Sequence, residues 1–255
     1  MDNTASYGVQ LILPHVTTLF DYLSKSVKRT SKHLAKAKGK LSKISIVSQL
    51  ELAVLSKISP FIVDAEHSLV LIRLIVPILN ASRKEDAQIG MLKSIANLLK
   101  NVHTPSLFLA QISRLFSTLH AREARNELCR VFTSISERER TLAEQARLVC
   151  AMNSWSRRQL DEPDFGARLD AFSQAGKLVR EGHVDAEVVS VFLFNATYFA
   201  MRTTDMALRY SAVGFIRVLV DKVCEDESGK WFDVLVLGCL LPAVREAVKS
   251  KQEVR

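Results

Sequence analysis

The chain has 255 residues, 48% of them hydrophobic, with nine glycines, six prolines and a formal net charge of +8. A hydrophobic share this large excludes a chain that stays unfolded for want of apolar surface, and its length allows a sizeable core without disulfide or metal staples. Glycine and proline are too scarce for the frequent tight turns of a sheet-rich fold, so long helices joined by short polar loops are expected.

The first helix is expected at about residues 8–30 and the second at about 43–58, with the chain's charge concentrated between them. From residue 25 to 43 lie Lys25, Lys28, Arg29, Lys32, Lys36, Lys38, Lys40 and Lys43, with no Asp or Glu among them. Without those eight, basic and acidic residues balance at 27 each. Like charges packed this closely repel one another, so such a block is a loop, a helical extension or a surface turned toward phosphates. No aromatic residue lies between Tyr22 and Phe61, so there is no platform on which bases could stack. RNA contact through this stretch would be electrostatic and indifferent to sequence. A solvated loop and a nuclear import signal are the other readings of the same block.

Apolar residues then recur at helical spacing through helices expected at about 65–80, 85–102, 105–119, 121–136, 139–153, 163–181, 184–200, 204–225 and 230–249. Ile89, Leu92, Ala96 and Leu99 form one stripe expected to face the core. The next are Phe108–Leu119, Leu128–Ile135, Leu142–Val149, Phe165–Val179 and, last, Met206, Tyr210, Val213, Ile216 and Val220. Ser82 with Glu85 and Ser136 with Glu139 fit the capping box, in which a hydroxyl and a carboxylate satisfy each other's backbone donors at a helix start. Pro105 and Pro163 suit a first helical turn, and Gly182 suits the left-handed residue that closes a helix. Pro77 and Pro242 are expected to kink their helices or begin new ones. Val188–Phe199 is apolar nearly all round and reads as a central buried helix or a strand; Asp233–Leu240 is open in the same way, and flanking caps favour helix for both.

Taken in pairs, the helices start near 85, 121, 163 and 204, at intervals that bracket the repeat length of HEAT and armadillo proteins. A helical hairpin that cannot cover its own apolar face stacks on the next. The fold class expected is therefore all-α: a HEAT/armadillo-like, right-handed superhelical solenoid of stacked antiparallel helix pairs, with 1–255 a single segment and a basic loop or helix extension at 25–43. A compact helical bundle is the alternative.

No motif carries catalytic chemistry. The sequence lacks a phosphate-cradling glycine loop, an HExxH zinc helix and a GxSxG elbow. Six separated histidines and four cysteines with no CxxC pair suit no metal site, so no cofactor, metal or small-molecule substrate is expected. Cys129, Cys150, Cys224 and Cys239 lie among apolar residues and read as reduced core thiols of the cytosol or nucleus. No signal peptide or membrane span is visible, so a soluble intracellular protein with no membrane partner is expected.

The run from Arg157 through Asp161, Glu162, Pro163, Asp164, Phe165, Arg168 and Leu169 to Phe172 resembles the down-regulated-in-metastasis family. These are very large nucleolar HEAT-repeat proteins of the small-subunit processome, associated with the U3 small nucleolar RNA. Leu69–Leu79, Ile95–Leu99, the Pro105–Phe108 turn and Leu128–Phe132 resemble the same family in the same order, the likeness covering roughly residues 65–249. The resemblance implies a noncatalytic scaffold in pre-rRNA processing and small-subunit assembly. It also implies a nucleolar location, with pre-rRNA or small nucleolar RNA and other processome proteins as partners. It implies, further, that the chain is a fragment of a longer solenoid. Within the run, Asp161 or Glu162 is expected to cap a helix starting at Pro163. Phe165, Leu169 and Phe172 are expected to face the core, and Arg168 to bond an acid or carbonyl of the adjacent hairpin. A protein-only HEAT adaptor for transport or signalling, gripping partner peptides or helices, is the alternative function.

Overall fold

The structure, a computed structural model, describes residues 54–242 apart from Arg83, Arg157 and Leu160, together with His15, Thr18, Asp21, Tyr22, Lys25, Val244 and Arg245. Among the described residues these α-helices follow one another: α1 (Ala65–Ala81), α2 (Glu85–Leu99), α3 (Leu109–Thr118), α4 (Arg122–Arg138), α5 (Ala143–Met152), α6 (Phe165–Arg180), α7 (Ala186–Arg202) and α8 (Met206–Glu225). A wider π-helix spans Phe232–Leu240. Short 3-10 turns at Ser59–Phe61, Pro105–Phe108 and Arg140–Leu142 complete the order. Among the described residues the fold is all-α, as the spacing of apolar residues predicts. The helix expected at 8–30 and most of that at 43–58 lie outside the described residues.

Local chemistry accounts for several boundaries. Asp64, Asp164 and Asp205 precede α1, α6 and α8, and each carboxylate accepts from a free N–H of the first turn, at 2.8, 3.0 and 2.7 Å. Gly182, at φ 74°, closes α6 as expected: its N–H reaches the Val179 carbonyl, and that of His183 reaches Leu178. α1 runs through Pro77 without ending.

Neither expected capping box forms. Ser82 ends α1 rather than starting α2, and the Gln88 amide donates to its carbonyl at 2.7 Å. α4 extends past Ser136 to Arg138, so Ser136 donates inside its own helix, to Thr133. Glu139 instead reaches another helix start, accepting from the Ser106 N–H at 2.8 Å. The cap of α6 is Asp164 rather than Asp161 or Glu162, and Pro163 lies before the helix rather than in it.

The described chain falls into two units, one comprising the residues up to Ser106 with Leu119–Thr141, the other Leu107–Thr118 with the residues from Leu142 on. In the first, α1 packs on α2 and α2 on α4. Leu92, Ile95, Leu98 and Leu99 of α2 and Leu128, Val131, Phe132 and Ile135 of α4 are fully buried, and Asn97 and Asn101 reach back to Ser59 and to the Ile62 carbonyl. In the second, α5 packs on α6 and α6 on α8, while α7 receives α3, α8 and the π-helix. Stacking on the next helix but one, as α2 does on α4 and α6 on α8, is what repeated hairpins produce.

Val188–Phe199 belongs to that hub. In α7, Val189, Val191, Phe192, Leu193, Phe194, Ala196 and Phe199 are buried, facing several neighbours at once, so a one-sided stripe would not serve. Asp233–Leu240 is helical too, but wound in i→i+5 fashion, with Leu235 and Cys239 buried.

Two expectations for α8 and for the thiols require correction. Of its expected core stripe, Met206, Tyr210, Val213 and Val220 are exposed; the buried residues are Leu208, Ala212, Phe215 and Leu219. Cys129 and Cys239 are core thiols and Cys150 is half-buried, whereas Cys224 is exposed, one turn beyond Val220 on the same outer face. Among the described residues, no helix is long and apolar enough to cross a membrane.

Candidate functional site

The described residues of the resemblance-bearing run lie in a loop and the start of α6. Trp155 pairs with Pro163 in an isolated antiparallel bridge, the Ser156 N–H reaches the Glu162 carbonyl at 2.8 Å, and the Asp164 N–H reaches Ser154 at 3.2 Å. Asp161 turns this loop at φ 59°, a left-handed conformation that aspartate tolerates better than most residues. Between the strands of the bridge, the Ser156 hydroxyl accepts from the Arg158 and Gln159 N–H groups.

The loop is anchored by Arg168, which is 6% exposed. Its Nε–H donates to the Ser154 carbonyl at 3.0 Å, and its guanidinium lies 5.4 Å from the Trp155 ring centre and 5.3 Å from that of Phe199. The expected carbonyl bond to the preceding hairpin thus forms, with an aromatic clamp that spacing alone does not reveal. Phe172 faces the core as expected, edge-on to Phe199 at 5.9 Å, while Phe165 and Leu169 are only half-buried. Beside this clamp Asn153 and Asn195 pair at 2.9 Å, and each also donates to a carbonyl one turn back, Val149 and Val191. Polar groups here satisfy one another, so the cluster reads as a structural joint.

Elsewhere two carboxyls and a thiol also stand against structural neighbours. The Glu187 carboxyl is held below its ordinary range, first by a backbone N–H at the start of α7 and then by Lys230, 3.2 Å away. Asp226 is lowered by the Ser228 hydroxyl and then by the Trp231 N–H, at 2.6 and 2.8 Å. Burial pushes the Cys239 thiol up, against the opposing charge of Arg114. Among the described residues no group of three or more His, Cys, Asp or Glu side chains is placed to hold a metal ion.

Of the expected phosphate-contacting residues, Lys25 is exposed on helical backbone. Lys28, Arg29, Lys32, Lys36, Lys38, Lys40 and Lys43 lie outside the described residues. One surface was read from the sequence as core: the outer face of α8, where Met206, Tyr210, Val213, Arg217, Val220 and Cys224 follow at alternating spacings of four and three. The signal was present, since α8 carries two apolar stripes and a helix packed on one side needs one.

Helix pairs that stack on the next but one, around polar groups that answer each other, define a helical-repeat protein. The chain belongs to the family described as "U3 small nucleolar RNA-associated protein 20, N-terminal", whose profile matches residues 1–252. The protein of that name from Schizosaccharomyces pombe is 26% identical over 136 residues, 53% of this chain and 5% of its own length. Its counterpart from Saccharomyces cerevisiae is 27% identical over 148 residues, 56% of this chain and 6% of its own. The chain therefore spans a small part of the relatives it matches. No solved structure matches it significantly.

Proposed function

We propose that the chain is a noncatalytic scaffold section working in the small-subunit processome, in pre-rRNA processing and assembly of the small ribosomal subunit. The single observation that carries this reading is membership, along nearly its whole length, of a family described as U3 small nucleolar RNA-associated. On this reading residues 1–255 form one segment of a longer solenoid in the nucleolus. Lys25, Lys28, Arg29, Lys32, Lys36, Lys38, Lys40 and Lys43 hold phosphates of pre-rRNA or small nucleolar RNA. Other processome proteins are its further partners. Eight cations without an intervening anion are a strong local field for a polyanion, and the lack of aromatics there suits backbone contact rather than base reading.

Crosslinking in cells with site mapping tests the reading. RNA adducts within 25–43, mapped to pre-ribosomal or U3 small nucleolar RNA, are the expected result. Protein adducts alone across that stretch would sink the RNA assignment and favour a protein-only adaptor.

A further inference from the structure

We infer that the buried pair Asn153–Asn195 is a register key: it selects one rotation of α7 among its neighbours and, through α7, seats the loop that Arg168 anchors. Along its middle α7 has no outer face. Every residue from Val189 to Ala196 is buried, a stretch that passes more than twice round the helix. A one-sided apolar stripe dictates how a helix must sit. Here Val, Phe and Leu point in every direction. A turn of about 100°, one residue's worth, still leaves apolar groups against apolar groups.

Polar bonds decide what the apolar contacts leave open. Ser190 donates to the Glu187 carbonyl and Thr197 to that of Leu193, both within α7, so they turn with the helix and select nothing. Glu187 meets Lys230 outside α7, but at an exposed site where an ion pair contributes little. Asn195 differs. It is fully buried, and its Nδ2 donates to the Val191 carbonyl at 2.9 Å. Its Oδ1 accepts, also at 2.9 Å, from Nδ2 of Asn153 at the end of α5. Asn153 is itself 3% exposed and donates as well to the Val149 carbonyl at 2.8 Å.

Turning α7 by one residue carries the Asn195 amide away from Asn153 and into apolar surroundings, where losing a partner is costly. Two apolar groups of like shape would remove that penalty for every rotation alike, so the pair contributes selectivity more than net stability. The selected rotation matters to the loop. Phe199 lies one turn beyond Asn195 on the same face, 5.3 Å from the Arg168 guanidinium. Ser154, next to Asn153, accepts the Nε–H of that arginine. The pair therefore aligns both walls of the clamp, and a turned α7 takes Phe199 off the cation.

The test uses the whole 255-residue chain with 5-fluorotryptophan at its two tryptophans. Trp155 lies in the clamp and Trp231 precedes the π-helix that packs on α7; the variant Trp231→Phe assigns the two fluorine signals. The parent should give one sharp Trp155 signal. The double variant Asn153→Leu/Asn195→Leu should keep the parent's circular dichroism. Its Trp155 signal should divide, or broaden at least about twofold, as α7 populates more than one setting. Leu193→Met, an apolar exchange in the same buried stretch, should leave the signal single. One sharp Trp155 signal in the double variant, at whatever shift, would overturn the proposal, as would a divided signal in the parent or in Leu193→Met. Loss of helical circular dichroism in the double variant would overturn it too, because the pair would then hold the fold up rather than choose among packings.

Discussion

Arg168 carries a charge into a nearly closed site, and the surroundings compensate it in three directions. One N–H is taken by the Ser154 carbonyl, and two aromatic faces receive the cation. Replacing it with methionine keeps the volume but leaves that carbonyl with the Asp164 N–H and without its bond to a cation, and it removes both stacking contacts. A loss of about 2–3 kcal/mol is expected in urea denaturation, and lysine should not restore it, because an ammonium cannot stack as a plane between two rings. Asp226 gives a pH-dependent counterpart. Its folded carboxyl lies below the ordinary 3.8, first through Ser228 and then through Trp231. A depressed carboxyl contributes stability that is whole above its unfolded value and disappears as pH falls through the folded one. Melting temperature measured from pH 6 down to 2 should therefore fall more steeply for the parent below about 3.8 than for Asp226→Asn. Residue-scale detail was the least legible in the sequence. In both expected serine–glutamate capping pairs the helix boundary lies elsewhere: Ser136 donates inside its own helix, and Ser82 sits at the far end of α1. Nothing in the run around Asp161 reveals that its loop closes on itself and leaves capping to Asp164.

Among the elements, α7 was legible as buried, though its apolar run fits helix or strand and only the flanking caps favoured helix, and α8 was read with its outer stripe as core. A helix surrounded by neighbours must be apolar all round, as Val188–Phe199 is. A helix with two apolar stripes announces only that both can be covered, and period alone cannot say which one the chain itself covers. Phe215 and Leu219 won over Tyr210 and Val213 because α6 and α7 present Phe172 and Phe192 to that side, with ring centres 6.1 Å from Phe215 in each case. The hub can be tested directly. Phe192 is fully buried, so Phe192→Ala should cost about 3–5 kcal/mol in chemical denaturation, through lost transfer energy and the cavity left behind. A cost under about 1 kcal/mol would mean that α7 is not the hub described. The π-helix was beyond reach: its apolar run fits helix or strand, and an i→i+5 winding leaves no distinct period in nine residues.

At the scale of the whole molecule, the fold class was legible because it rests on many weak regularities that agree: scarce glycine and proline, recurrent stripes, and pair starts near 40 residues apart. The resemblance to the family rested chiefly on the Arg157–Phe172 run, whose described residues bridge, turn left-handed at Asp161 and seat the buried Arg168. Charge is the other whole-molecule property, and its surplus resides in one stretch. If most of the eight cations there meet phosphates, log affinity for single-stranded RNA should fall against log salt with a slope of roughly −4 to −5. Neutralising all eight to glutamine should flatten the slope, as measured by fluorescence anisotropy between low and physiological salt. An unchanged slope would move RNA contact elsewhere or remove it.

The pairing of α3 with α7 has a consequence during synthesis. α3 ends at Thr118 and α7 begins only at Ala186, so Ile112, Leu115 and Phe116 leave the ribosome well before the helix that covers them exists. At ordinary elongation rates that interval is roughly 3–14 s, ample time for a nascent chain to meet a chaperone or a wrong neighbour. By contrast, α2 and α4 can close over each other as soon as α4 emerges. Translation speed between residues 119 and 186 thus governs how long this greasy face of α3 stands open.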